Sequence, residues 1–186
     1  MSTSMVFAGA RVYDLDPAHT STHFSVRHMM ISNVKGEFGK LTGKVVYDAG
    51  NPKASSVETT IDAASIRTRD DQRDTHLKSA DFLDVEHYPE IRFKSVRIEK
   101  GRSDGYVVKG ELTIRGVSRE VALNVEDITQ ETKDPWGNYR MGATATTRIK
   151  RSDFGLTWNQ ALETGGLLVG DEIAITIDAE MIRRST

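Results

Sequence analysis

The chain has 186 residues and a mass of 20.7 kDa, a length that predicts one domain with a sizeable core. Its 25 basic and 27 acidic residues give a net charge of −2, which offers no electrostatic basis for binding nucleic acid or an anionic membrane surface. The chain contains no cysteine, which excludes disulfides, thiolate metal sites and cysteine nucleophiles.

The N-terminal residues predict a cytoplasmic protein. Residues 1–10 contain no Lys or Arg and only a short apolar stretch, so they lack the basic start and apolar region of a signal peptide. Removal of a leader would instead indicate the periplasm. No stretch approaches the roughly 18 apolar residues of a membrane span, so no integral membrane span is expected. We assign residues 1–11 to a flexible N-terminus and residues 12–184 to a single domain.

Alternation of apolar and polar residues predicts a mostly β fold. It is clearest near the C-terminus, where Ile173, Ile175 and Ile177 share one face. Strands of the same kind are expected near residues 20–28, 33–49, 54–62, 90–100, 105–115, 118–132, 138–151 and 171–183.

Two strands carry irregularities of their own. In the strand at 90–100 the apolar positions change parity between Phe93 and Val96, which predicts a β-bulge near Ser95. In the strand at 33–49, the glycines at positions 36, 39 and 43 predict sharp bends or a close approach of the backbone to another group.

Two segments interrupt the strand pattern. Residues 63–88 contain one predicted helix, Asp70–Ser79, with Thr68 as its candidate N-cap. Leu77 is the only large apolar side chain of that helix, so we expect the helix to cover an opening rather than to build a core. Residues 152–170 contain glycines and are irregular, as is typical of lids and binding loops.

Eight sequential antiparallel strands with short connections predict an all-β, up-and-down barrel, because closure removes exposed sheet edges. A barrel of about eight strands is wide enough to hold one small ligand. Strands of 10–15 residues give a barrel roughly 25–35 Å tall. The expected guest is therefore a long, narrow, apolar molecule.

The sequence contains no coupled set of catalytic residues. A GxSxG elbow, a P-loop and a GxGxxG loop are all absent, and the five histidines form no HExxH or His-x-His pattern. We therefore predict no enzyme activity, no catalytic residues and no metal site. The charged run at residues 67–74 is expected to form mainly solvated or helix-tethering ion pairs. Arg67, Arg69 and Arg73 are weaker candidates for binding a polar headgroup.

Aromatic and apolar side chains are spread over nearly every predicted strand. In a closed barrel the core and a ligand pocket share one surface, so the sequence leaves open whether these side chains pack together or bind a ligand. The candidates for the pocket lining are Phe24, Phe38, Phe93, Tyr106, Leu112, Met141, Phe154 and Trp158.

Several short segments follow one another along the chain in a specific order and spacing. They are DPAHT at 16–20, FSVRHMM at 24–30, VKGEF at 34–38, IDAASI at 61–66, RDTHLKSADFLDV at 73–85, GELTIRGV at 110–117, DPWG at 134–137 and IKRSDFGL at 149–156. In this order and spacing they resemble the YceI family of lipocalin-like, polyisoprenoid-binding proteins, and the resemblance covers about residues 12–183.

The resemblance implies an eight-stranded lipocalin-like barrel with a long interior pocket for an isoprenoid chain, such as a quinone or polyprenyl tail, or for a fatty-acid-like amphiphile. It also implies a homodimer, and it carries no catalytic residue set. Many members have an acid at the position of Arg67, so we hypothesise that this chain prefers a more anionic headgroup.

The first functional hypothesis is a module that binds a long-chain lipid for carriage, storage or sensing, without a resident cofactor. A barrel hydrolase, cyclase or isomerase acting on a hydrophobic substrate is the second. The third is a stress-related protein that acts through a protein partner, with the barrel serving only as a scaffold.

Overall fold

The structure is a computed structural model that describes residues 9–184, so most of the predicted flexible N-terminus lies outside the described residues. These residues form one α-helix, α1 (Asp71–Lys78), and twelve strands. The strands are β1 (Arg11–Leu15), β2 (Ser21–His28), β3 (Ser32–Phe38), β4 (Leu41–Tyr47), β5 (Ser56–Asp62), β6 (Ile66–Arg67), β7 (Glu90–Lys100), β8 (Tyr106–Ile114), β9 (Val117–Glu126), β10 (Thr132–Lys133), β11 (Tyr139–Lys150) and β12 (Val169–Arg183).

The sheet closes into an eight-stranded antiparallel barrel, as the sequence predicts. Closure comes from β12, which pairs with β11 along one edge and with β2 and then β1 along the other. Strands β1 and β2 lie end to end against β12, and β4 and β3 lie end to end against β1 and β2. Each of these two pairs therefore counts as one of the eight strands of the barrel.

Three predicted strands differ from the structure in their bounds, and one of them is the strand predicted at 118–132, which ends at Glu126 as β9, while Thr132 belongs to the separate strand β10. The first barrel strand begins at Arg11 rather than near residue 20, because β1 is too short to show a clear alternation and residues 16–20 interrupt it. The strand predicted at 33–49 breaks between Phe38 and Leu41 into β3 and β4. The glycine at position 36 has the close approach expected of it, since a Cβ there would overlap the ring of Phe24.

The predicted bulge in β7 is confirmed. The register with β8 shifts between Ser95 and Arg97, and the side chain of Val96 lies outside the barrel. The Ser95 hydroxyl accepts a hydrogen bond of 2.8 Å from the amide of Val57. Because the bulge adds one residue, Ile98 points into the barrel as Phe93 does, although the two positions have opposite parity. Both side chains are buried.

Helix α1 covers one end of the barrel. It lies within one residue of the predicted bounds, but its N-cap is Asp70, whose carboxylate accepts a 2.9 Å bond from the amide of Arg73. The prediction of Thr68 was wrong because Thr68 is buried and donates from its amide (2.9 Å) and hydroxyl (2.5 Å) to Asp74. Leu77 packs against the apolar cluster at this end, as expected of a covering helix.

The described helices include none that is long and apolar enough to cross a membrane.

Candidate functional site

The barrel encloses an apolar cavity of about 280 Å³. Inward-facing Val, Ile, Leu, Phe and Met side chains from nearly every strand form its wall. Within residues 9–184 no histidine, lysine or carboxylate lies on that wall. The volume is near the lower end of the roughly 300–1,000 Å³ of small-molecule sites, which suits a slender guest.

One end of the cavity is closed by residues outside the barrel strands. Leu77 of α1 and the following turn residues Phe82 and Leu83 lie on the wall there. Leu156, which follows a 3-10 turn at Arg151–Phe154, lies on the wall as well. We call these two pieces, residues 71–85 and 151–168, the cover.

Arg151 fixes the second piece of the cover. Its guanidinium is buried and donates to four backbone carbonyls, those of Leu156 (2.6 Å), Trp158 (2.8 Å), Gly170 (2.8 Å) and Val169 (3.2 Å). Burial lowers the pKa of Arg151, and the charge of Asp171 opposes that effect. This single side chain therefore joins the start and the end of the segment between β11 and β12.

An aromatic cluster joins the two pieces of the cover. The Trp158 ring lies edge-on to the His76 ring at 4.6 Å between centroids and 5.3 Å from that of Phe82. Nε2 of His76 lies 2.8 Å from a carboxylate oxygen of Asp81, which orients the imidazole. The helix and the irregular segment are thus packed as one unit over the barrel end.

Two tyrosines place hydroxyl groups at the other end of the cavity. Tyr47 is the last residue of β4 and Tyr106 the first of β8, and both lie on the wall. Their hydroxyl oxygens are 3.4 Å apart and their rings meet edge-on at 6.1 Å. Burial, with a smaller contribution from the hydrogen bond to Tyr106, raises the pKa of Tyr47, so this phenol is neutral at physiological pH.

Thr22 supplies a further polar atom on the wall, and its Oγ1 is the only buried side-chain N or O without a hydrogen-bond partner in the described part of the chain. Because an unpaired buried hydroxyl is unfavourable, we expect Thr22→Val to stabilise the ligand-free protein by about 1 kcal/mol. Urea denaturation measures this free energy of unfolding. Thr144→Val, on a partly exposed hydroxyl bonded to Asp178, should not stabilise. A destabilised Thr22→Val protein would show that the hydroxyl is hydrogen-bonded in solution.

The structure places six of the eight predicted lining residues on the cavity wall. Phe154 and Trp158 are not on that wall: Phe154 is the part of the cover that is fully buried in the apolar cluster at this end of the barrel, and Trp158 packs in the aromatic cluster. The six on the wall are Phe24, Phe38, Phe93, Tyr106, Leu112 and Met141.

The three arginines predicted for a headgroup do not line the cavity. Arg73 donates to the hydroxyl and the carbonyl of Thr68, each at 2.7 Å, which is the helix-tethering role also expected for this run. Arg67 is exposed and lies 3.8 Å from a carboxylate oxygen of Glu37. Arg69 is exposed and has a φ of 64°. Their contact with a headgroup stays a prediction.

Three residues of the site are absent from the predicted set: Tyr47, Thr22 and Arg151. Tyr47 had a usable signal, because it shares the parity of Val45 in a branched, apolar run. Thr22 shares the parity of Phe24 in the strand predicted at 20–28, but a threonine is less clearly a lining residue than an aromatic one. Arg151 had no signal, because an arginine at the end of a strand is ordinary. Their positions follow from contacts between residues that are far apart in the chain.

Outside the cavity, the described residues contain one group of three potential metal ligands: Asp16, His19 and Glu180. Nη1 of Arg140 lies 2.7 Å from both Asp16 and Glu180, and its Nε lies 2.7 Å from Asp134. The guanidinium thus already supplies the positive charge among these carboxylates. The hydrogen bonds from His19 and then from Arg140 lower the pKa of Asp16 to about 2.

This ion-pair network predicts a loss of stability in acid. A carboxyl whose folded-state pKa lies below its ordinary 3.8 stabilises the protein above about pH 4, and that stabilisation is lost as the pH falls toward 2. Arg140→Gln should therefore destabilise the protein at pH 6, and the difference from wild type should shrink between pH 4 and pH 2. Urea denaturation at each pH measures it, with Arg148→Gln as the control. A difference that does not change with pH would contradict the assignment.

Comparison with known proteins agrees with this architecture. A sequence profile described as a YceI-like domain matches residues 13–181. A UPF0312 protein of Vibrio cholerae is 39% identical over 145 residues, which are 78% of this chain and 76% of that protein. A crystal structure of the Campylobacter jejuni YCEI protein superposes with a TM-score of 0.71 at 31% identity, covering 86% of this chain and 90% of the other.

A polyisoprenoid binding domain from Saccharophagus degradans, implicated in plant cell wall breakdown, has the same fold. It superposes with a TM-score of 0.65 and covers 92% of this chain and 98% of that domain. The sequence identity is 15%, so this likeness concerns the fold alone.

Proposed function

Because this chain belongs to the YceI-like family, we propose that it binds the apolar chain of a long amphiphile inside its barrel. One observation carries the proposal: the cavity wall is apolar except for a few hydroxyl groups and two arginines. Arg92 is paired with Glu90, and Arg151 donates to four backbone carbonyls. Burying apolar surface contributes about 25 cal/mol per Å². A hydrocarbon chain therefore gains affinity along its whole length, with few polar contacts.

The ligand class that suits this cavity best is an isoprenoid quinone, a polyprenyl lipid or a fatty-acid-like amphiphile. The small cavity volume favours a single extended chain over a bulky ring system. The shared fold of the Saccharophagus degradans polyisoprenoid binding domain supports the isoprenoid members of this class. The predicted lining residues on the wall, such as Phe24 and Phe93, are proposed to contact the chain.

Binding without chemical conversion is the reading that the wall supports. General acid–base catalysis uses a His, Asp, Glu, Lys, Cys or Tyr side chain within reach of the substrate, and of these types the described wall carries only Tyr47 and Tyr106, with no partner base beside them. In the described residues the charged side chains among the wall residues are Arg92 and Arg151. Arg92 pairs with Glu90 and Arg151 is held by four carbonyls, so neither is available as a base.

A chain-length series tests the proposal. We expect a long-chain isoprenoid quinone to bind the purified protein in about a 1:1 ratio, and we expect affinity to fall as isoprene units are removed. The short-chain analogue with the same ring should not bind measurably, since it lacks the apolar surface that stabilises the complex. Extraction of the complex should return the quinone chemically unchanged. Equal affinity for long and short analogues would refute chain binding, and a converted product would favour an enzyme.

The bound lipid would serve carriage, storage or sensing. The homodimer that the family resemblance implies is part of the same proposal.

A further inference from the structure

We propose that the hydroxyls of Tyr47 and Tyr106 bind a neutral, hydrogen-bond-accepting oxygen of the ligand headgroup, such as the carbonyl of a quinone. The proposal rests on chain binding in the barrel and names the headgroup class and the residues that recognise it.

The position of the two tyrosines suits a headgroup site. The cover closes the end of the barrel where β8 finishes at Ile114, next to Leu77 of α1. Tyr106 begins β8 and Tyr47 finishes β4, so the pair lies at the opposite end of the same cavity. A ligand whose chain runs along the barrel toward the cover therefore places its head at the tyrosines.

The hydroxyl pair has unused hydrogen-bonding capacity. Each phenol carries one O–H donor, and the only hydrogen bond of either hydroxyl to residues 9–184 is the 3.4 Å contact between the two. If one hydroxyl donates to the other, the second O–H has no acceptor. A carbonyl oxygen placed beside the pair supplies that acceptor, and it needs no donor of its own.

The charges around the pair favour a neutral head over an anionic one. Burial keeps the Tyr47 phenol protonated, and the negative charge of Asp48 acts in the same direction. Among the described wall residues, the positive charges are those of Arg92, which pairs with Glu90, and of Arg151, which lies at the cover. Both wall arginines lie at the other end of the barrel, Arg92 opposite Thr113 near the end of β8 and Arg151 in the cover. The described wall therefore offers no positive charge at the tyrosines to offset the cost of burying a phosphate there.

A headgroup site at the tyrosines and a headgroup site at Arg67 predict opposite orders of affinity. With tails of equal length, a quinone should bind more tightly than a prenyl phosphate, because the cavity wall at the tyrosine end offers hydroxyl donors and no charged side chain. An anionic headgroup bound at exposed Arg67 would reverse that order.

The test compares Tyr47→Phe, Tyr106→Phe and the double variant with wild type. Tyr88→Phe is the matched control, since Tyr88 is partly exposed and outside the cavity wall. The three probes are an isoprenoid quinone, a prenyl phosphate and an isoprenoid hydrocarbon of equal chain length. We expect the double variant to lose about tenfold in affinity for the quinone, the value of one or two hydrogen bonds. Its affinity for the hydrocarbon should not change, because the aromatic rings remain.

Either of two results would overturn the assignment. One is an unchanged quinone affinity in the double variant whose thermal stability matches that of wild type. The other is a preference of the wild type for the prenyl phosphate that Arg67→Asp abolishes, which would move the head to the cover end. If the wild type binds none of the probes, including the hydrocarbon, chain binding itself is refuted. That outcome differs from failure of the tyrosine subsite, in which the hydrocarbon still binds.

Discussion

Replacing Ala145 by phenylalanine is expected to lower the affinity for a long-chain amphiphile by roughly a hundredfold while leaving the barrel folded. Ala145 lies on the cavity wall at the middle of β11, opposite Ile177 of β12 and Val125 of β9. An inward aromatic ring takes the space of three or four methylene groups of a guest. At about 0.8 kcal/mol for each buried methylene, their loss gives the stated factor.

The neighbouring residue supplies the control. Thr146 is exposed on the outer face of the same strand, so Thr146→Phe adds the same ring without entering the cavity. It should bind the amphiphile as wild type does. We expect Ala145→Phe to keep cooperative unfolding, since the cavity has room for the added ring. Wild-type affinity in a folded Ala145→Phe protein would place the ligand outside the barrel.

Replacing Arg151 by methionine is expected to lower the free energy of unfolding by about 3 kcal/mol or more. The substitution leaves the carbonyls of Leu156, Trp158, Gly170 and Val169 without their common donor. Hydrogen bonds to a charged group are worth about 1.5–3 kcal/mol each, and part of that is regained when freed carbonyls meet water. Urea denaturation measures the loss.

The same substitution should loosen the cover. Once the tether is gone, proteases should cut within residues 157–167 faster than in wild type, and a bound amphiphile should dissociate faster. Arg148→Met is the matched control, because Arg148 is exposed and forms a surface ion pair with Glu172 that is worth about 1 kcal/mol or less. A loss of stability no larger than that of the control would show that Arg151 does not hold the segment.

The parts of the fold that the sequence predicts are those set by local alternation. Ile173, Ile175 and Ile177 point inward in β12, and the parity change in β7 corresponds to a real bulge at Ser95. Period-two patterning predicts such features because successive side chains of a strand point to opposite faces. The number of barrel strands follows from the same pattern and from the short connections.

What the sequence does not predict depends on contacts between distant residues. The edge-on contact of Trp158 with His76 joins the two pieces of the cover, and no local pattern in the sequence shows that Trp158 makes this contact rather than lining the cavity. Arg151 donates to backbone carbonyls, and because every residue has one, the sequence does not show which residues Arg151 contacts. Tyr47 and Tyr106 are 59 residues apart and meet only because the barrel closes. Thus the lining, with Tyr106, could be predicted in large part, whereas the pairing of Tyr106 with Tyr47 and the contacts of Arg151 could not.

The central claim is that the barrel holds the chain of a lipid, and native mass spectrometry of freshly purified protein, with analysis of its organic extract, tests it most directly. The account predicts a stoichiometric adduct with the mass of an isoprenoid or other long-chain lipid, and the loss of that adduct in Ala145→Phe. An adduct-free mass that stays unchanged after incubation with isoprenoid quinones and prenols would contradict it.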